Sequence, residues 1–131
     1  MELPDRTLTL LVAEDNDLNY EITDEQLSGY GLHCVRAVDG QDAADQFSAA
    51  PAGTFDAVLM DLQMPGLNGL EATAAIRALD HPQARTMPII ALTANAYQED
   101  AAKCIAAGMN AHLSKPLDTG KLLRMLAELV K

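Results

Sequence analysis

The stretch VLMDLQMPGLNG, residues 58–69, decides the fold. An apolar run ends in a single carboxylate, Asp61, and a Pro/Gly turn follows at once. Continuous apolar character, rather than alternation, is what a strand covered on both faces of a parallel sheet requires. A charged residue at the end of such a run can cap a helix, coordinate a metal or act as a nucleophile. The rest of the chain has to choose among these.

Four further segments read as strands. Residues 7–13 (TLTLLVA), 88–93 (PIIALT) and 56–60 (DAVLM), which holds the start of the opening stretch, carry continuous rather than alternating apolar runs. Residues 33–38 (HCVRAV) are weaker and are predicted nearer an edge, and 111–114 (AHLS) is short but bounded by turn residues. Between and after them lie segments of helical period. These are 17–30 ending at Gly31, 40–50 ending at Pro51, 68–79, 96–107 stopping at Gly108, and 119–130. Ala72, Thr73, Ile76 and Leu79 share one face of the third, and Leu122, Leu123, Leu126, Leu129 and Val130 share one face of the last. Gly108 suits the left-handed position just past a helix.

Five β-then-α units predict an α/β fold in which right-handed crossovers place helices on both faces of a parallel sheet. The expected version is a flavodoxin-like (βα)5 doubly wound sandwich with strand order 2-1-3-4-5. In that order strands one and three are neighbours, and the crevice lies beyond their carboxyl ends.

The 131 residues fit a single domain, 1–131 with its core at about 7–130, and the 49% hydrophobic content is that of a globular chain. A net charge of −10 argues against nucleic-acid binding, which needs basic faces, but leaves a basic protein partner open. Cys34 and Cys104 have neither metal spacing nor a disulfide framework and read as buried reduced thiols. The N-terminus has no signal-peptide pattern, and no apolar run approaches a membrane span, so a cytoplasmic domain without membrane contact is expected.

Chemistry in open α/β sheets gathers past the carboxyl ends of the strands. Strand one ends in Glu14-Asp15, strand three in Asp61, strand four in Thr93 and strand five in Lys115-Pro116. Three carboxylates, one hydroxyl and one ammonium are therefore expected on one rim. Crowded carboxylates repel unless a cation sits among them, and hard oxygen donors with open positions suit Mg²⁺. No His or Cys joins by spacing, which disfavours zinc. With a metal in place one aspartate can attack a phosphoryl group and carry it as an aspartyl phosphate. Lys115 and the Thr93 hydroxyl would support that phosphate, a charge-assisted hydrogen bond being worth about 1.5–3 kcal/mol. Singly, each residue has a plain alternative as cap, turn starter or surface charge. Together, matching groups at four strand ends point to a site.

With these residues assembled, the chain resembles a receiver domain of bacterial two-component and phosphorelay signalling over nearly its whole length. The motifs are LLVAEDNDLN, AVDGQDA, DAVLMDLQMPGLNGLEATAAIR, PIIALTA and AAGMNAHLSKPL. The resemblance implies that Asp61 accepts the phosphoryl group. It implies that Glu14, Asp15, Asp61 and the Gln63 backbone carbonyl hold Mg²⁺, with Mn²⁺ able to substitute. Thr93 would bond a phosphoryl oxygen and move inward, Ala94 would leave room for it, and Lys115 would pair with it. The bond to Pro116 would be cis. Gln63 and Asn95 would tune hydrolysis. His112 stands where many receivers carry a switching Tyr or Phe, which departs from a simple aromatic switch; His33 and His81 read as incidental.

The segments AEDNDLN and IIALTANAYQEDAAKCIAAGMNAHLSKPL resemble receivers of hybrid sensor histidine kinases, and Asn16 and Asn19 contribute to that look. A stand-alone receiver and a piece of a larger kinase both fit, since no output domain follows the fifth helix in this sequence. The implied partner is a histidine kinase or a histidine phosphotransfer domain, with a dimer on phosphorylation as a further option. Self-phosphorylation and slow dephosphorylation are implied, with no turnover of a separate substrate.

Three rivals remain at this stage. A nucleotide- or flavin-binding protein of the same fold would want a phosphate-welcoming loop where this chain has EDNDLN. A phosphatase of the haloacid-dehalogenase type would want a second Asp at position 63, which is Gln. A degenerate receiver, acting only as an interaction module, would be expected to lack a catalytic position.

Overall fold

Each apolar run forms a strand in the computed structural model, which describes residues 7–62, 64, 66–93, 98–114 and 117–130. The strands are β1 (Thr9–Ala13), β2 (His33–Ala37), β3 (Ala57–Asp61), β4 (Ile89–Thr93) and β5 (Ala111–Ser114). The helices are α1 (Asp17–Ser28), α2 (Gly40–Ala49), α3 (Gly69–Arg77), α4 (Gln98–Ala107) and α5 (Thr119–Leu129), one after each strand. The strands form one parallel sheet in the order β2-β1-β3-β4-β5, the flavodoxin-like order expected. The weakest apolar run, β2, is an edge strand with only Ala37 buried.

Period-two alternation along the strands splits the core in two. Leu10 and Val12 of β1, Leu59 of β3 and Ile90 of β4 face one side, with Leu27 of α1 and Leu122 and Leu126 of α5. Leu11, Val58, Met60 and Ile89 face the other, with Phe47 of α2, Ala72 and Ile76 of α3 and Cys104 of α4. All five residues of β3 and of β4 are buried. Burying each large side chain stabilises the fold by roughly 1.5–3 kcal/mol before chain entropy is subtracted.

Element ends differ from the sequence reading by one or two residues, for local reasons. Asp56, expected inside β3, precedes it, and its carboxylate accepts the Thr9 N–H at 2.8 Å. That contact marks the start of β1, expected at residue 7. Asn68, expected as the first residue of α3, is instead its N-cap. It forms a capping box in which Asn68 Oδ1 accepts from Glu71 N–H at 2.9 Å and Glu71 returns the bond. The first helix, expected to reach residue 30, stops at Ser28. The chain leaves it through Gly31 at φ 81°, and the Leu32 N–H returns to the Leu27 carbonyl at 3.1 Å.

The thiols lie on opposite sides of the sheet: Cys104 is buried among the α2–α4 side and Cys34 is half-buried against the other. Burial first, and the Asp24 carboxylate second, push the Cys34 thiol up to about 12. Its folded form holds the proton more tightly than an ordinary thiol. The stability this contributes is therefore intact below about pH 9 and is lost as pH climbs toward 12. Alkylation of native protein at pH 8 should accordingly be slow at Cys34, on the order of 100- to 1,000-fold below a free thiol, because only the thiolate reacts. Mass spectrometry before and after denaturation checks this; rapid labelling of the native chain would contradict it.

Candidate functional site

Strands β1, β3 and β4 are neighbours at the centre of the sheet, so their carboxyl ends share one rim. Ala13 pairs with Met60, and Asp61 pairs with Leu92. One step onward in each register brings Glu14 level with Asp61 and Leu62 level with Thr93. Ser114, the last residue of β5, pairs with Thr93 and ends at the same rim.

The sequence-predicted carboxylates do converge. Glu14, Asp15 and Asp61 each offer an oxygen, and these oxygens lie within 4.8 Å of one another. Glu14 and Asp61 are each only 3% exposed and Thr93 only 4%, whereas Asp15 is exposed. Two unit charges about 4 Å apart repel by about 4 kcal/mol at the effective dielectric of a protein surface. A divalent cation converts that repulsion into attraction. Every donor in the cluster is a hard carboxylate oxygen, with no His or Cys in it, and the exposed Asp15 leaves one side of the cluster open to water. That donor set fits Mg²⁺ and not zinc.

Local sequence explains why these groups stay in place. Asn16 begins α1 immediately after the acidic pair: its Oδ1 accepts the Asn19 N–H at 2.9 Å, and its own N–H donates to Glu14 Oε2 at 3.3 Å. The Glu14 N–H donates to the Ala37 carbonyl at 3.0 Å, tying the loop to β2. Beyond Asp61 the Leu62 N–H donates to the Leu92 carbonyl at 3.0 Å. Gly66 takes φ 72°, the left-handed region that favours glycine. Gly69, first residue of α3, packs its backbone onto that of Asp61 and Leu62. A Cβ there would overlap the Asp61 carbonyl oxygen and stand 2.9 Å from Leu62 Cα. Thr73 Oγ1 donates to the Gly69 carbonyl at 2.8 Å and is fully buried, which fixes that turn of helix.

The remaining predicted residues divide. His112 lies half-buried on β5, paired with Ala91. Gln63, Ala94, Asn95, Lys115 and Pro116 lie outside the described residues. His33 is exposed, but His81, expected to be incidental, has a structural task. Its ring packs against Phe47 at a 43° tilt with centroids 4.5 Å apart, its Nδ1 accepts the Gln83 N–H at 3.0 Å, and Nε2 lies 2.7 Å from the Ala50 carbonyl. With Nδ1 accepting, Nε2 carries the proton, and the ring ties the end of α2 to the segment before β4.

Gly69 and Arg36 were not singled out by sequence reasoning. Gly69 follows a helix-capping Asn and looks like ordinary turn punctuation; only the closeness of α3 to the end of β3 reveals its role. Arg36 is one polar residue in an edge strand and carries no motif.

No helix among the described residues is long and apolar enough to cross a membrane. The family profile for the response regulator receiver domain matches residues 10–127. The hybrid signal transduction histidine kinase I of Dictyostelium discoideum is 37% identical over 119 residues, covering 89% of this chain and 7% of that protein. The osmosensing histidine protein kinase SLN1 of Saccharomyces cerevisiae is 36% identical over 125 residues, covering 93% of this chain and 10% of that protein. This chain thus spans about a tenth or less of these two kinases. Among solved structures, the receiver domain of the sensor histidine kinase PA1611 from Pseudomonas aeruginosa has a magnesium ion coordinated in its active-site cleft. It is 37% identical with TM-score 0.82, covering 95% of this chain and 98% of that one. The receiver domain of yeast Ssk1, in complex with the histidine phosphotransfer protein Ypd1, is 29% identical with TM-score 0.79, covering 95% and 89%.

Proposed function

The chain belongs to the response regulator receiver family, and on that premise we propose that Asp61 accepts a phosphoryl group from a partner phosphohistidine in a Mg²⁺-dependent reaction. The observation that carries this reading is the convergence of Glu14, Asp15 and Asp61 at one rim, with Asp61 held on a fully buried central strand. A nucleophile loses less orientational entropy in reacting when its backbone is already fixed.

Glu14, Asp15, Asp61 and the Gln63 carbonyl would hold the metal, with Mn²⁺ as a substitute. Bound there, Mg²⁺ supplies neutralisation of charge on the transferring phosphoryl oxygens. The Asp61 carboxylate oxygen attacks phosphorus in line, and the P–N bond to the partner's imidazole breaks as the P–O bond forms. Neutral histidine leaves with the electron pair, taking a proton from solvent. Thr93 and Lys115 then take hydrogen bonds and ion pairing to the new phosphate. His112, in place of the more usual Tyr or Phe, would ride on the β5 rearrangement that a partner reads. Ala94 would leave space beside the phosphate, Asn95 and Gln63 would tune its hydrolysis, and the bond between Lys115 and Pro116 would be cis. The partner class is supported by the complex of a similar receiver with a histidine phosphotransfer protein and by the hybrid kinases among the relatives.

Incubation with Mg²⁺ and a small phosphoramidate donor, followed by intact mass, tests the reading. The expected result is one phosphoryl adduct per chain, suppressed by EDTA and restored by excess Mg²⁺ or Mn²⁺. An adduct indifferent to EDTA would refute the metal requirement. No adduct in the wild-type chain would favour a receiver that binds partners without phosphorylation.

A further inference from the structure

The acidic rim receives a cross-brace from the edge strand. Arg36 of β2 pairs in register with Val12, on the α1 side of the sheet. Its Nε donates to the Glu14 backbone carbonyl at 3.1 Å. Its guanidinium also ion-pairs with Asp17, in the first turn of α1, at 2.7 Å, and lies over the Tyr20 ring at 5.3 Å. The carbonyl of Arg36 is itself held by Gln46 Nε2 of α2 at 2.7 Å. One side chain therefore grips both ends of the turn that carries Glu14 and Asp15, at the Glu14 carbonyl and at the start of α1.

Resting on the reading of Glu14, Asp15 and Asp61 as the cation site, we infer that Arg36 is a positioning residue for that site. It holds the β1–α1 turn so that the Glu14 and Asp15 carboxylates stay converged on Asp61. The geometry separates this role from a mere charge effect. The guanidinium bonds a backbone carbonyl and the carboxylate of Asp17, which is outside the metal cluster. A positive charge near a cation site opposes cation binding, so by charge alone its removal would strengthen binding. At the dielectric of water a unit charge about 8 Å from a divalent cation shifts its affinity by roughly sixfold, and physiological salt, in which the titration is run, screens this to about twofold. Loss of an outer partner that orients a ligand weakens metal binding by roughly 10- to 100-fold. The bond here reaches the ligand's backbone rather than its carboxylate, so the low end, about tenfold, is expected, and positioning outweighs charge. The two effects have opposite signs.

The test is calorimetric Mg²⁺ titration of the unphosphorylated chain, wild type against Arg36→Met and Arg36→Lys, with a thermal melt to confirm that each variant folds. Arg36→Lys keeps the charge but loses the Nε fork. The expected result is about tenfold weaker binding in Arg36→Met and a clear weakening in Arg36→Lys. Metal-free hydrogen exchange should also be faster across residues 14–17 in both. Binding that is unchanged or tighter in Arg36→Met would overturn the inference. So would wild-type affinity in Arg36→Lys, which would reduce Arg36 to its charge. If wild-type protein itself binds no Mg²⁺, the cation-site reading falls, and this inference with it.

Discussion

Asp61→Asn is expected to lose the phosphoryl adduct, with the rate of its formation falling on the order of a thousandfold or more, while the fold survives. The amide nitrogen is no nucleophile toward phosphorus, and the amide oxygen carries no formal charge for the transfer. The substitution is nearly isosteric, so Asp61 loses its charge without opening a cavity in a strand whose five residues are all buried. Removing one of three carboxylates within 4.8 Å also relieves repulsion in the metal-free protein. The variant should therefore melt no lower than wild type, and its affinity for Mg²⁺ should fall. Intact mass after incubation with donor and a thermal melt read both halves. Wild-type adduct formation in Asp61→Asn would remove Asp61 from its proposed role.

Gly69→Val is expected to lower stability by about 2–3 kcal/mol, as overpacking of a well-filled site does, and to slow phosphorylation in the fraction that remains folded. The added Cβ would overlap the Asp61 carbonyl oxygen, and the only relief is to push α3 away from the end of β3. Such a shift moves the backbone that aims the Asp61 carboxylate. Gly120→Ala is the control. Its added methyl group meets nothing nearer than 3.5 Å, and it removes a glycine from α5, so it should be neutral or stabilising by up to about 1 kcal/mol. Urea denaturation compares the two, and equal stability of Gly69→Val and wild type would show that α3 can move off β3 without penalty.

Much of the fold was legible because two signals agreed: the apolar runs set the strands, and the β-then-α alternation set the crossovers. The edge position of β2 was readable from its weak apolar character, seen again in its exposure. Helix ends were less legible. Gly31 was legible as the exit of α1, but Asn68 as a cap rather than a helical residue, and the stop of α1 at Ser28 rather than residue 30, depend on which local hydrogen bonds win. The acidic cluster was legible because parallel register brings Glu14, Asp15 and Asp61 to one rim whatever the loop details. What held those groups in place was not legible. Arg36 reaches Glu14 across 22 positions, and Gly69 matters through the absence of a side chain. His81 was set aside as incidental because nothing in its sequence neighbourhood announces Phe47 or the Ala50 carbonyl.

The most direct measurement of the central claim is reductive trapping of the phosphorylated chain. Borohydride reduces an aspartyl phosphate to the corresponding alcohol, and peptide sequencing by mass spectrometry then names the residue. Homoserine at position 61, appearing only when Mg²⁺ and donor are both present, is the result this account predicts. Reduction at another aspartate, or a phosphoryl group that resists borohydride and stays on a Ser, Thr or His, would contradict it.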